Sequence, residues 1–172
     1  LAVLTRGVQR VATLPALLDD VELVMARRPS PQGLGGVLAW GRKPSARVAE
    51  AYAERHGLTV WRAEDGFLRS LGLGHEDPPL SLVLDDQGIY YDASGPSRLE
   101  ALVKAVRTSA ERARAQALCE QWQQGRLSKY NAAREAPPPL AGAFVLVVDQ
   151  TFGDASIAFG QADAQSFARM LE

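Results

Sequence analysis

The chain has 172 residues, of which 47% are hydrophobic and 23% charged, the composition of one ordinary globular domain rather than a fibrous repeat or a disordered tail. Its 19 basic and 20 acidic side chains leave a formal net charge of -1, so no broad positive field exists to gather nucleic acid and any anion must be held locally. No apolar run approaches the roughly 20 residues of a membrane-spanning helix. The lone Cys119 excludes a disulfide framework or a Cys-rich metal site and fits a reducing cytoplasm.

Residues 1–20 carry Val8, Val11, Leu14, Leu17 and Leu18 near helical spacing, interrupted by Pro15, and predict a short helix. A brief β-like run at 21–25 precedes the Pro- and Gly-rich loop 28–36. Gly36-Val-Leu-Ala-Trp40 is a continuous apolar run, as expected of a parallel strand buried on both faces. The helix after it has Pro44 in its first turn, an apolar stripe at Val48, Ala49, Tyr52 and Ala53, and a stop at Gly57. Residues 58–62 form the next strand, and strand, helix and strand in so short a span make a right-handed βαβ crossover the natural topology.

Residues 80–84 and 89–91 read as two strands joined at Asp85-Asp86-Gln87-Gly88, a β-hairpin. Ser97 caps a long helix expected over 98–124, with Leu99, Leu102, Val103 and Val106 inward and Gly125 ending it. A short helical turn over 127–134 leads into the linker-like Ala136-Pro-Pro-Pro-Leu140. Phe144-Val-Leu-Val-Val148 is the clearest strand in the sequence, and a last helix over 163–171 places Phe167, Met170 and Leu171 inward. The fold class is therefore α/β: a Rossmann-like, doubly wound, mostly parallel sheet with a β-hairpin insertion, in a single domain over 1–172.

In such sheets ligands bind beyond the carboxyl ends of the strands, where loops and helix amino termini converge. Three polar loops share that rim. Gly41, Arg42, Lys43 and Ser45 combine a glycine, two cations and a helix start, able to hold a phosphate or carboxylate with exposed amides, or simply to form a solvated turn. Glu64 and Asp65 are paired carboxylates with Arg69 close by; they divide general-acid and general-base work, or one of them caps a turn while Arg69 pairs with it. Asp149, Gln150, Thr151, Asp154 and Ser156 crowd the third strand end, where a carboxylate serves either as nucleophile toward an anomeric carbon or as a turn or helix cap. His56 and His75 have neither zinc-ligand spacing nor a triad partner, Asp85-Asp86 is simpler as turn chemistry than as a metal pair, and Trp40, Trp61 and Trp122 are core candidates. No metal site is expected.

Taken together, Trp40-Gly-Arg-Lys-Pro-Ser45, Glu64-Asp-Gly-Phe-Leu-Arg-Ser70, Pro78-Pro-Leu-Ser-Leu-Val-Leu-Asp-Asp86, Gly88-Ile-Tyr-Tyr-Asp-Ala93, Ser128-Lys-Tyr-Asn131 and Asp149-Gln-Thr-Phe-Gly-Asp-Ala-Ser156 resemble the bacterial capsular polysaccharide biosynthesis and export proteins of the KpsC/LipA type. The resemblance runs in order from about residue 36. It implies the amino-terminal, acceptor-side half of a two-domain GT-B glycosyltransferase whose second domain is absent from this chain, so that the chain alone is inactive. The implied reaction is retaining β-Kdo transfer from CMP-Kdo, the donor substrate, to a lipid-linked Kdo glycan acceptor, with no cofactor. It implies Asp154 as the residue on which catalysis depends, with Glu64 or Asp65 as acid, base or acceptor-positioning group. Arg42, Lys43 and Arg69 would help to hold the anionic acceptor. The implied setting is the cytoplasm, at the inner face of the inner membrane, with capsule export machinery as a partner. The alternative is a non-catalytic binding or assembly module of capsule polysaccharide export, in which the acidic loops serve as caps.

Overall fold

The computed structural model describes residues 1–74, 76–132 and 142–171. Its centre is a five-stranded sheet: β1 (Ala2–Val3), β2 (Val24–Met25), β3 (Val37–Trp40), β4 (Val60–Asp65) and β5 (Leu82–Asp85) in the order β2-β1-β3-β4-β5. β2, β1, β3 and β4 run parallel, and β5 closes the edge antiparallel to β4. Chain order reverses at the β1/β3 junction, the switch point at which a crevice opens in sheets of this kind.

Alternation along the strands feeds two cores. Ala2, Leu4, Val37 and Ala39 point to one face and meet Ala46, Ala49 and Ala53 of α3 (Ala46–His56). Val3, Leu38 and Ala63 point to the other and meet Val8 of α1 (Arg6–Gln9) and Leu14 and Leu18, at and just beyond α2 (Leu14–Leu17). Helices on both faces make the sheet doubly wound. Small alanines on α3 let that helix sit close to the sheet, and Gly57 ends it in the left-handed region at φ 64°.

Several elements differ from the sequence reading. Residues 1–20 open with β1, because Ala2 and Val3, both 0% exposed, pair with strands on either side. The hairpin does not form: β5 pairs with β4, and residues 89–91 run outside any strand. The expected helix over 98–124 is two helices, α4 (Arg98–Lys104) and α5 (Ser109–Gln124). Ala105 between them is extended, and Thr108 starts the second helix with a capping box to Glu111.

Neither helix buries a residue: Leu102, Val103 and Val106 are 45, 76 and 98% exposed, and Trp122 is partly exposed rather than core. Residues 127–132 form no helix, and the linker-like stretch 136–140 lies outside the described residues, as does His75. Residues 144–148 join no strand of the sheet. Of the last helix only α7 (Ser166–Arg169) forms, after α6 (Ala155–Phe159), and it leaves Met170 and Leu171 exposed.

Candidate active site

β3 delivers the chain to Gly41 at φ 45°, a conformation that disfavours side chains. A Cβ there would lie 2.6 Å from Oε2 of Glu64 and collide with the Tyr91 hydroxyl, so the glycine lets a carboxylate and a phenol close over the strand end. The loop's amides are already used: Gly41 donates to the Ala63 carbonyl (2.8 Å), Arg42 to the Tyr91 hydroxyl (2.9 Å) and Lys43 to the Trp40 carbonyl (3.3 Å). The expected amide cradle for an anion is therefore not formed there, and what the loop offers is the Lys43 ammonium.

β4 ends in the two acids. Glu64 is fixed by the Trp40 indole N–H (3.0 Å) and the Asp65 amide (3.1 Å), both donated to Oε1, while Oε2 faces the Tyr91 hydroxyl at 3.5 Å. Asp65 forms an ion pair with Arg69 at 2.9 Å, although the Arg69 Nε–H is not aligned as a hydrogen bond. Arg69 is 6% exposed and also donates to the Ser70 hydroxyl and to the Asp77 and Gly74 carbonyls. The ion pair expected of this loop thus forms at Asp65, while Glu64 has its own contacts to Trp40 and Tyr91. The same loop is tied to residues 128–131 through the Arg69 and Ser70 amides, which both donate to the Lys129 carbonyl. That contact is what brings Lys129 and Tyr130 to the rim.

The third loop turns at Gly153, φ 81°. Asp154 caps α6 by accepting the Ser156 amide at 2.8 Å, and the Gln150 side chain donates to the Ser156 hydroxyl at 3.0 Å. Asp154 nevertheless stays open. It lines a cleft of about 600 Å³ together with Lys43, Glu64, Asp65, Tyr90, Tyr91, Lys129, Tyr130, Gln150 and Ser156. A second groove of about 500 Å³, which includes Ser45 and Arg69, shares Lys43 and Asp65 with it and extends toward the β1/β3 switch point.

Charge in the cleft is sorted by these contacts. The Ser156 amide and hydroxyl hold the Asp154 carboxyl below the usual carboxylate range, against an opposing effect of burial, and Lys129 and Lys43 add to the lowering. Burial, followed by the negative charge of Glu64, pushes the Tyr90 phenol up to about 12. At neutral pH the cleft thus presents the ionised Asp154 carboxylate and the protonated Tyr90 phenol, with Lys43 and Lys129 beside them. Among the described residues no group of three His, Cys, Asp or Glu side chains could hold a metal ion.

Of the residues singled out in the sequence, Lys43, Glu64, Asp65, Gln150, Asp154 and Ser156 meet in one cleft, and Ser45 and Arg69 lie in the adjoining groove. Arg42 turns away to Asp92 (2.6 Å) and Glu50 (3.6 Å). Thr151 contributes a carbonyl to the Asp154 amide, and Asp149 lines a different groove. Sequence reasoning missed Tyr90, Tyr91, Lys129 and Tyr130 as site residues, although the adjacent tyrosines and the Lys-Tyr pair stand in stretches it had marked.

The arrangement defines a Rossmann-like α/β domain with a mixed carboxylate and ammonium cleft beyond the carboxyl ends of its parallel strands. Residues 36–136 match the family described as capsule polysaccharide biosynthesis protein, and the chain belongs to that family. It is 41% identical over 177 residues to the capsule polysaccharide modification protein LipA of Neisseria meningitidis serogroup A, a match that covers 98% of this chain and 25% of LipA. The lipopolysaccharide-processing protein LpsZ of Rhizobium meliloti is 43% identical over 133 residues, covering 72% of this chain and 30% of LpsZ. Among solved structures the chain superposes on Thermosulfurimonas dismutans KpsC, β-Kdo 2,4 transferase, with a TM-score of 0.88 at 38% identity, covering 99% of this chain and 54% of that one. The β-Kdo 2,7 transferase of the same organism's KpsC gives 0.59 at 28% identity, over 92% and 50%. The chain thus spans about a quarter of its meningococcal relative and about half of the solved transferase.

Proposed function

We propose that this chain forms one side of the active site of a retaining β-Kdo transferase of the 2,4 type, using CMP-Kdo to extend a lipid-linked Kdo acceptor. The observation that carries the reading is the meeting of Asp154, Glu64, Lys43 and Lys129 in a single open cleft. Asp154, ionised at neutral pH, attacks the anomeric carbon of the donor, and the bond to the phosphate oxygen breaks as CMP leaves. An acceptor hydroxyl then displaces the Asp154 carboxylate and gives its proton to Glu64, so two inversions return the original configuration. Lys43 and Lys129 hold the sugar carboxylates; Arg42 and Arg69 set the loops that carry them. Work at the cytoplasmic face of the inner membrane follows from the lipid acceptor, and among the described residues no helix is long and apolar enough to cross a bilayer.

The contact from Ser156 to Asp154 favours a second reading, in which Asp154 is only a helix cap in an assembly module. Asparagine caps helices about as well as aspartate. In the full-length protein, Asp154→Asn should therefore keep the stability and lose at least ~1000-fold in Kdo transfer from CMP-Kdo, as expected when the nucleophile of a double displacement is removed. Near wild-type transfer by Asp154→Asn would leave Asp154 a cap and favour the assembly module. Single-turnover release of CMP, the step that uses Asp154 and not Glu64, should persist to pH values below the ordinary carboxyl range, because the ionised form of Asp154 is the one stabilised.

A further inference from the structure

Beyond the carboxyl ends of β1 and β2 lies a groove that the candidate site does not use. The two strands are parallel neighbours, so the residues that follow them, Leu4, Thr5 and Arg6 after β1 and Arg27 and Arg28 after β2, come together. Facing them is the flank of α3 that carries Val48, Tyr52 and Arg55 at helical spacing. Two hollows of about 770 and 450 Å³ share Leu4, Arg27, Arg28 and Val48 and so form one continuous groove. Its walls are fixed: the Tyr52 hydroxyl donates to the Pro29 carbonyl at 2.8 Å, and Leu4 is 4% exposed and belongs to the core.

The lining combines an apolar surface, from Leu4, Val48, Pro29, Pro31 and the Tyr52 ring, with the guanidiniums of Arg6, Arg27, Arg28 and Arg55, and no carboxylate lines it. Other arginines of the chain are paired. Arg42 and Arg62 share Glu50 on the opposite flank of α3, and Arg69, Arg98 and Arg169 each hold an aspartate. The four groove arginines make no ion pair among the described residues. Thr5, at the amino end of α1, uses its hydroxyl in no capping bond. Like charges gathered around one hollow repel until an anion lies between them, and in a chain of net charge -1 this is a local field rather than a general one.

We infer that this groove binds the phosphate headgroup of an anionic phospholipid and so seats the protein on a membrane surface. Guanidinium forks match phosphate oxygens two at a time, and all four cations here are arginine. The apolar lining selects among phosphate carriers. A free phosphate would leave Val48, 53% exposed, and the two prolines in water, whereas the glycerol and first methylenes of a lipid cover them. A hollow of this size suits one such headgroup. Because β1 runs parallel to β3 and β3 to β4, groove and cleft open on the same carboxyl rim of the sheet, and a bilayer held at β1 and β2 passes beside the cleft. No residue of the cleft enters the inference, which therefore stands apart from the reading of Asp154.

Cosedimentation of the full-length protein with vesicles of phosphatidylglycerol and phosphatidylcholine, against phosphatidylcholine alone, tests it. The protein should bind the anionic vesicles and leave them as salt is raised. Arg27→Glu with Arg28→Glu should weaken that binding at least ~10-fold, whereas Arg112→Glu with Arg114→Glu on α5, the same change in net charge, should weaken it less than ~2-fold. Val48→Asp, at an exposed position, should also weaken binding while the melting temperature stays within about 2 °C of wild type. Anionic-vesicle binding that survives Arg27→Glu with Arg28→Glu would overturn the inference, and equal losses from the two double variants would reduce it to net charge. Displacement of the vesicles by inorganic phosphate at matched phosphate concentration would make free phosphate the ligand and overturn it too. A folded protein that ignores anionic vesicles would leave the groove to an acidic protein segment instead. Donor and acceptor take no part in these measurements, so the result for Asp154→Asn leaves them unmoved and the two claims fall separately.

Discussion

Gly41 is the residue on which the site's geometry turns. The sequence marked it for the anion-binding capacity of its loop, whereas the structure uses its missing side chain: the Glu64 carboxylate and the Tyr91 phenol occupy the space a Cβ would take. Replacing it with alanine combines a disfavoured positive φ with a clash against a fixed carboxylate. Gly41→Ala is expected to destabilise the chain by about 1–3 kcal/mol and to release the Tyr91 hydroxyl from the Arg42 amide. Urea denaturation reads the first effect, and unchanged stability would show that the loop simply relaxes. Both cations of this loop were legible as residue types but not in direction. Lys43 faces the cleft, while Arg42 is drawn off by Asp92 and Glu50, partners 50 and 8 positions along the chain that no local reading connects to it.

At the scale of elements, strong local chemistry was readable and pairing partners were not. Apolar run, glycine stop and capping serine correctly marked β3, α3 and the start of α4, because each depends on neighbours in sequence. The hairpin failed on Asp85, which is 1% exposed and accepts the Gln87 and Gly88 amides on one oxygen and the Arg98 amide on the other. One buried carboxylate thus bends the chain away from β5 and fastens it to the amino terminus of α4. Asp85→Ala would strand three donors in a buried setting and should cost about 3–5 kcal/mol by denaturant titration. A cost under 1 kcal/mol would mean that water takes over those donors. The break between α4 and α5 was written in the sequence as Thr108-Ser-Ala-Glu111, a capping-box pattern overlooked inside a longer helical run.

Across the whole molecule, the doubly wound sheet and the clustering of polar loops at its rim followed from hydrophobic pattern and strand direction. What did not follow was which residues the two cores would leave out. Pattern reports that a segment wants burial, not whether this part of the chain supplies the partner, so residues 144–148 read as a strand of the existing sheet. The same division shapes how the molecule comes apart. α5 buries nothing, and its 16 residues are kept helical by their own capping box, a Gln116 to Glu120 side-chain bond of 2.8 Å and a glycine stop. A helix supported only by itself is marginal at this length. In this chain, heating should therefore reduce ellipticity at 222 nm well before the amides of β3 lose protection, whereas coincident loss would mean that α5 is tied to the sheet after all. Loss of order is thus graded along the polypeptide: the parallel sheet gives way last, and the surface helix behaves almost as a peptide in solution.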